Sequence, residues 1–176
     1  MTKKPLSLPE MRELERILSD LFLHIWSIKT VYPLAEHIQY PKIPWILAQS
    51  AVLHLHKALF EGSTEATFGG RECDILVSYP NGERRKAEVK GTGESAFEEF
   101  VQKDIEADFL VWVHFGEYFQ GRGGVTIYCL PEPNRIYKQR KKIALSRFLA
   151  DASPFGLKAL KGGSLSEIVG EHSSSQ

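Results

Sequence analysis

Residues 73–79 (CDILVSY) and 84–90 (RRKAEVK) have strand character, and the Pro80-Asn81-Gly82 between them constrains the fold more than any other stretch. Asn-Gly alone could close a two-residue hairpin, which would pair Asp74 with Val89 and put Asp74 and Glu88 on opposite faces. Pro80 argues for the longer turn. Proline suits the first position of a three-residue type I loop, asparagine the second, and glycine a left-handed third position that makes a bulge. With the loop at residues 80–82, Tyr79 pairs with Glu83. Counting back then sets Asp74 directly opposite Glu88, with Lys90 on the same face.

Before that hairpin the chain reads as helical. Ser7-Leu8-Pro9-Glu10 has the form of a capping box, with Pro9 harmless in the first turn. Leu14, Ile17, Leu18, Leu21, Ile25 and Ile28 then recur at helical spacing, predicting a helix over about 8–30. Phe22, Leu23 and Trp26 make its last turns apolar nearly all round, so it either threads the core or contributes to a dimer interface. Pro33, Pro41 and Pro44 break the pattern. A second helix is expected over 44–60, stopping at Gly62.

Beyond the hairpin the same reading continues. Residues 65–68 form a strand before it. After it, Ser95 and Glu98 suggest a second capping box, and Phe97, Phe100, Val101 and Ile105 one face of a short helix. Residues 108–114 and 125–130 are two further strands, joined by the glycine-rich 116–124 loop. Asn134 can cap a last helix to about Leu149, and residues 162–176 look like a mobile tail. The order α, α, β, β, β, α, β, β, α predicts a single α/β domain with a core at about 44–149.

Two carboxylates about 5 Å apart repel by on the order of 3 kcal/mol at an effective dielectric near 20. A hard divalent cation removes that penalty, and carboxylate oxygens completed by waters and a substrate phosphate suit Mg²⁺, with Mn²⁺ as a substitute. A neighbouring ammonium can orient an attacking water and offset charge on the phosphate. Asp74, Glu88 and Lys90 supply those parts. Asp74 followed by Glu88-Val89-Lys90, in helix-strand-strand-strand-helix-strand order over about 44–114, resembles the PD-(D/E)XK nuclease superfamily of restriction endonucleases, junction resolvases and repair nucleases. The resemblance implies a restriction-endonuclease-like core (αβββαβ), a mixed central sheet flanked by helices, with the N-terminal helix as an addition. It also implies metal ligation by Asp74 and Glu88 and catalysis by Lys90. The chain departs from the pattern at Cys73, where the motif has proline. On the first core helix, where many members carry a glutamate, it offers Gln49 and then only Glu61 at the end.

The function expected is that of a Mg²⁺-dependent DNA endonuclease, most like a type II restriction enzyme acting on double-stranded DNA as a homodimer. The alternatives are a structure-specific nuclease of junction-resolvase or repair type, and an inactive nucleic-acid-binding module of the same fold. The 176 residues carry no net charge, so DNA contact must come from local clusters. Arg135, Lys138, Lys141 and Lys142 lie in a stretch without acids, and a helix there would bring Arg135, Lys138 and Lys142 onto one phosphate-tracking face. Arg122 is a further candidate on the glycine-rich loop. With only Cys73 and Cys129, a disulfide framework is excluded. Without a long apolar run or secretory signal, a cytoplasmic, non-membrane protein is expected. The six histidines lack ligand spacing and read as structural.

Overall fold

The protein is described by a computed structural model that covers residues 4–93 and 97–173, with only the backbone of Glu36. Helix α1 (Leu8–Val31) begins where expected, with the Glu10 carboxylate accepting the Ser7 N–H at 2.7 Å and the Ser7 hydroxyl at 2.6 Å. Its inward stripe is Met11, Glu15, Leu18 and Phe22. The second helix is split at Leu55 into α2 (Trp45–His54) and α3 (His56–Leu59), and Gly62 at φ +79° ends the run.

Strands β1 (Glu65–Phe68), β2 (Ile75–Ser78), β3 (Arg84–Thr92), β5 (Phe109–His114), β6 (Val125–Pro131) and β8 (Lys158–Gly162) form one mixed sheet in the order β1-β2-β3-β5-β6-β8. Among the described residues only β3 and β5 run parallel. A parallel pair needs a crossover, and here it contains β4 (Phe97–Phe100) and α4 (Gln102–Glu106). One face of the sheet packs Ile75, Val77, Ala87, Val111 and Ile127 with residues of α1, α2 and α6 (Leu165–Ser173). The other packs Leu110, Trp112 and Leu130 with Phe100, Ile105, Tyr137, Ile143 and Phe148. The result is an α/β architecture with helices on both faces of a mixed sheet. Among the described residues no helix is long and apolar enough to cross a membrane.

Several expectations fail, each because a distant partner overrides a local pattern. The Phe97 and Phe100 stretch is strand β4, paired antiparallel with β7 (Lys141–Ala144), where Glu99 faces Lys142. Ser95 lies outside the described residues. The basic stretch 134–149 is not one helix: a short turn at Pro133–Arg135 leads to β7, and α5 (Leu145–Ala152) starts only afterwards. No helical face therefore gathers Arg135, Lys138 and Lys142. In place of a mobile tail, β8 pairs with β6 and α6 packs into the core through Leu165, Ile168 and Val169. The N-terminus of α6 is held by Glu15, whose carboxylate accepts the Leu165 and Ser166 N–H groups at 2.8 and 3.1 Å. Ser164 and Glu167 add a local capping box.

The hairpin follows its turn chemistry. Tyr79 accepts the Gly82 N–H at 3.0 Å and donates its own N–H to Glu83 at 3.0 Å. Gly82 is left-handed at φ +82°, and a Cβ there would meet nothing within 4 Å. The cost of a side chain at Gly82 is thus purely conformational. Gly82→Ala should lower the unfolding free energy by about 1 kcal/mol in urea denaturation. A variant as stable as the wild type would mean that the left-handed position does not anchor the hairpin.

Candidate metal-binding and catalytic site

The β2–β3 register pairs Ile75 with Ala87 and Ser78 with Arg84, and one step further sets Asp74 against Glu88. Alternation along β3 sends Ala87 and Val89 into the α1–α2 core, and Glu88, Lys90 and Thr92 to the opposite face. Asp74 alternates with Ile75 in the same sense. It also ends its strand, so its Oδ2 takes the Val89 N–H at 2.9 Å. That bond fixes the carboxylate against β3.

Lys103 of α4 reaches the pair from above. Its Nζ lies 2.9 Å from Glu88 Oε2 and 4.0 Å from Asp74 Oδ1. The next residue, Asp104, is buried and takes the opposite charge: its Oδ2 lies 2.8 Å from Lys90 Nζ and also accepts the Val101 N–H at 2.8 Å. Thr92 completes the face, its hydroxyl accepting the Trp112 indole N–H at 2.7 Å. Glu88, Lys90 and Thr92 therefore each have a partner from the crossover or β5. Neither Lys103 nor Asp104 was singled out by sequence, because nothing local to α4 reveals that it docks on β3. The remaining signal is an alternating Lys-Asp pair next to the buried Ile105.

Asp74 also lines a cleft of about 340 Å³ with Trp45, Gln49, Phe68, Gly70, Cys73 and Val89. Gln49 thus faces the cleft that Asp74 borders. Glu61 does not. It follows α3, is 90 % exposed and sits 3.6 Å from Lys158, beside Tyr79 at the far end of β2. Roughly three turns of helix separate it from Gln49, so it cannot join Asp74 and Glu88 as a third acid.

The donor set suits a hard cation. The Lys103 ammonium already occupies a position between the two carboxylates, which marks that position as favourable for positive charge. Among the described residues no three His, Cys, Asp or Glu side chains converge. Mg²⁺ commonly uses only one or two carboxylates with waters and substrate phosphate, and Asp74 with Glu88 meets that need.

The basic candidates do not form one surface. Arg122 lies 3.1 Å from Glu117, in the loop whose Tyr118 and Phe119 pack into the α1 side of the core. Arg135 pairs with Glu132 at 3.2 Å and covers the Phe155 ring. Lys138 Nζ donates to the Asn134 carbonyl at 2.6 Å, Lys142 lies over the Phe97 ring at 5.8 Å, and Lys141, its neighbour on β7, is exposed. The histidines are engaged structurally, as with His54 on the Leu6 carbonyl and His56 on the Ser63 hydroxyl. Both cysteines are free and buried.

Burial is the main reason the Glu88 carboxyl titrates at about 7 rather than 4.5; the Asp74 charge pushes the same way, and Lys103 only partly opposes them. Burial also works against the Lys103 charge, but its bond to Glu88 holds the ammonium above its usual range. Between pH 4.5 and about 7 the folded protein keeps a Glu88 proton that the unfolded chain has released. This contribution to stability is therefore full below pH 4.5 and is lost as pH rises to about 7. At 1.36 kcal/mol per pH unit it amounts to on the order of 3 kcal/mol. Glu88→Gln should remove that slope from urea unfolding measured between pH 4.5 and 7.5. An identical slope in both proteins would show that Glu88 titrates normally. No family model matches the chain, and no curated protein or solved structure matches it.

Proposed function

We propose that the protein is a Mg²⁺-dependent nuclease with a restriction-endonuclease-like core, hydrolysing phosphodiester bonds of double-stranded DNA at Asp74, Glu88 and Lys90. The observation that carries this reading is the opposition of Asp74 and Glu88 around one cation position, with Lys90 two residues along the same strand face. Asp74 and Glu88 would ligate the metal. Mg²⁺ bound there would polarise the phosphorus centre and make a coordinated water more acidic. Lys90, two residues from Glu88, offsets the charge that builds on the phosphate as water adds to phosphorus and the ester P–O bond breaks. Asp104 holds the Lys90 ammonium at 2.8 Å and so limits where that charge can be placed. Lys141 and Lys142, exposed on β7, are candidate phosphate contacts.

A second copy of the chain fits the exposed side of α1. Ile17, Leu21, Leu23, Trp26, Ile28, Val31, Tyr32, Leu34 and Ile38 are each at least 40 % exposed. Ile17, Leu21, His24, Ile28 and Val31 follow 4-3-4-3 spacing, the seam by which a helix pairs with its own copy. A homodimer would supply two sites for the two strands of a duplex.

Supercoiled plasmid incubated with Mg²⁺ should be nicked or linearised, and EDTA should stop it. Asp74→Ala and Lys90→Ala should each reduce cleavage by at least about a hundredfold while DNA retention in gel shifts changes little. Normal cutting by both variants would remove the site, and no cutting by the wild type with any divalent ion would leave only a binding module. Leu21→Glu combined with Ile28→Glu should convert a dimer to a folded monomer in analytical ultracentrifugation. A wild-type monomer at micromolar concentration would exclude the α1 interface.

A further inference from the structure

The cation position of the site is already claimed by a residue of the chain. Lys103 Nζ lies 2.9 Å from Glu88 Oε2, within hydrogen-bond reach of an oxygen that a divalent ion would have to ligate. Mg²⁺ binds carboxylate oxygen at about 2.0–2.1 Å, so an ammonium and the ion cannot share this position. The two cations are alternatives.

Location makes the exchange feasible. Glu88 is almost wholly buried, while the Lys103 side chain is 47 % exposed and approaches from the open side. Its flexible four-carbon stem allows the ammonium to leave for water without moving the backbone. Its neighbour Asp104 is anchored by Lys90 and by the Val101 N–H, so α4 remains docked when Lys103 leaves. Lys86, the other lysine on β3 near this end, is turned away to Glu72 at 3.3 Å. Lys103 is thus the ammonium bridging the carboxylates.

We propose that Lys103 is a built-in competitor for the metal: it holds Asp74 and Glu88 together in the metal-free protein and must swing out before a divalent cation can bind. The inference rests on the nuclease reading of the site and concerns its regulation. Because the Lys103 side chain is half exposed, its ammonium would be released towards solvent, where an arriving DNA phosphate would draw it out. Substrate and metal would then load cooperatively.

The test is Mn²⁺ binding to the full chain without DNA, followed by the electron-spin-resonance signal of free Mn²⁺ and by isothermal titration. Lys103→Met keeps the stem and removes the charge. It should bind Mn²⁺ about three- to tenfold more tightly than the wild type, the range expected for losing one half-exposed ion pair. Lys103→Arg, which keeps the charge, should stay near the wild-type value. In EDTA, Lys103→Met should melt at a lower temperature than the wild type, and saturating Mn²⁺ should raise its melting temperature by more. Equal or weaker Mn²⁺ binding by Lys103→Met overturns the competitor role. If that result comes while wild-type binding is still lost in Asp74→Asn, the metal site itself stands. No Mn²⁺ binding by the wild type, or binding untouched by Asp74→Asn, overturns both.

Discussion

The site depends on β3 being covered on both faces. A strand so placed ordinarily reads as a continuous apolar run, yet this one alternates Ala87 and Val89 with Glu88, Lys90 and Thr92. Uncompensated, a buried carboxylate costs several kcal/mol, and the group responds by holding its proton, as Glu88 does. Compensation comes from one short segment. Lys103 answers Glu88, Asp104 answers Lys90, and Trp112 of β5 answers Thr92. Without the crossover that carries α4, the charged face of β3 would have no reason to be buried.

The crossover is itself a consequence of topology. Joining β3 to β5 in parallel forces the chain across one face of the sheet, and the five residues of α4 are too few to be helical alone. Packing of Ile105 and the contacts of Asp104 hold the segment down. Asp104 serves two ends at once, closing the first turn of α4 and pairing with Lys90. The same carboxylate thus couples formation of the helix to placement of the lysine.

What the sequence made legible was local. Pro80, Asn81 and Gly82 determine a turn, the turn determines a register, and the register brings Asp74 to Glu88; no long-range knowledge enters that chain of steps. Ser7 and Glu10 marked the start of α1 for the same reason. Two of the misreadings involve partners far away in sequence. Residues 97–100 have helical periodicity, but pairing with β7 some forty residues later decides their state, and the same pairing makes part of the helix expected to run from Asn134 to Leu149 a strand. Ser164 and Glu167 did carry a capping signal before the apolar Leu165, Ile168 and Val169, so α6 could have been found. Glu61 failed for a geometric reason: it was the acid available on the right segment, but at the wrong end of it.

The two lysines of the site are not interchangeable, and the difference lies in what anchors them. Lys90 rises from near the end of a central strand, mostly buried, with its ammonium against a carboxylate that is itself fixed at two points. Its charge is held in place before any ligand arrives, which is the condition for electrostatic preorganisation. Lys103 rises from a short surface helix, half exposed, with its ammonium between two carboxylates that repel each other in its absence. On the proposed reading its charge is the one a divalent cation would replace. If the proposed site binds a divalent ion, a fixed positive charge beside a replaceable one would let a single strand face stay folded when empty and still accept the ion, because the charge needed for folding and the charge proposed for chemistry are on different side chains.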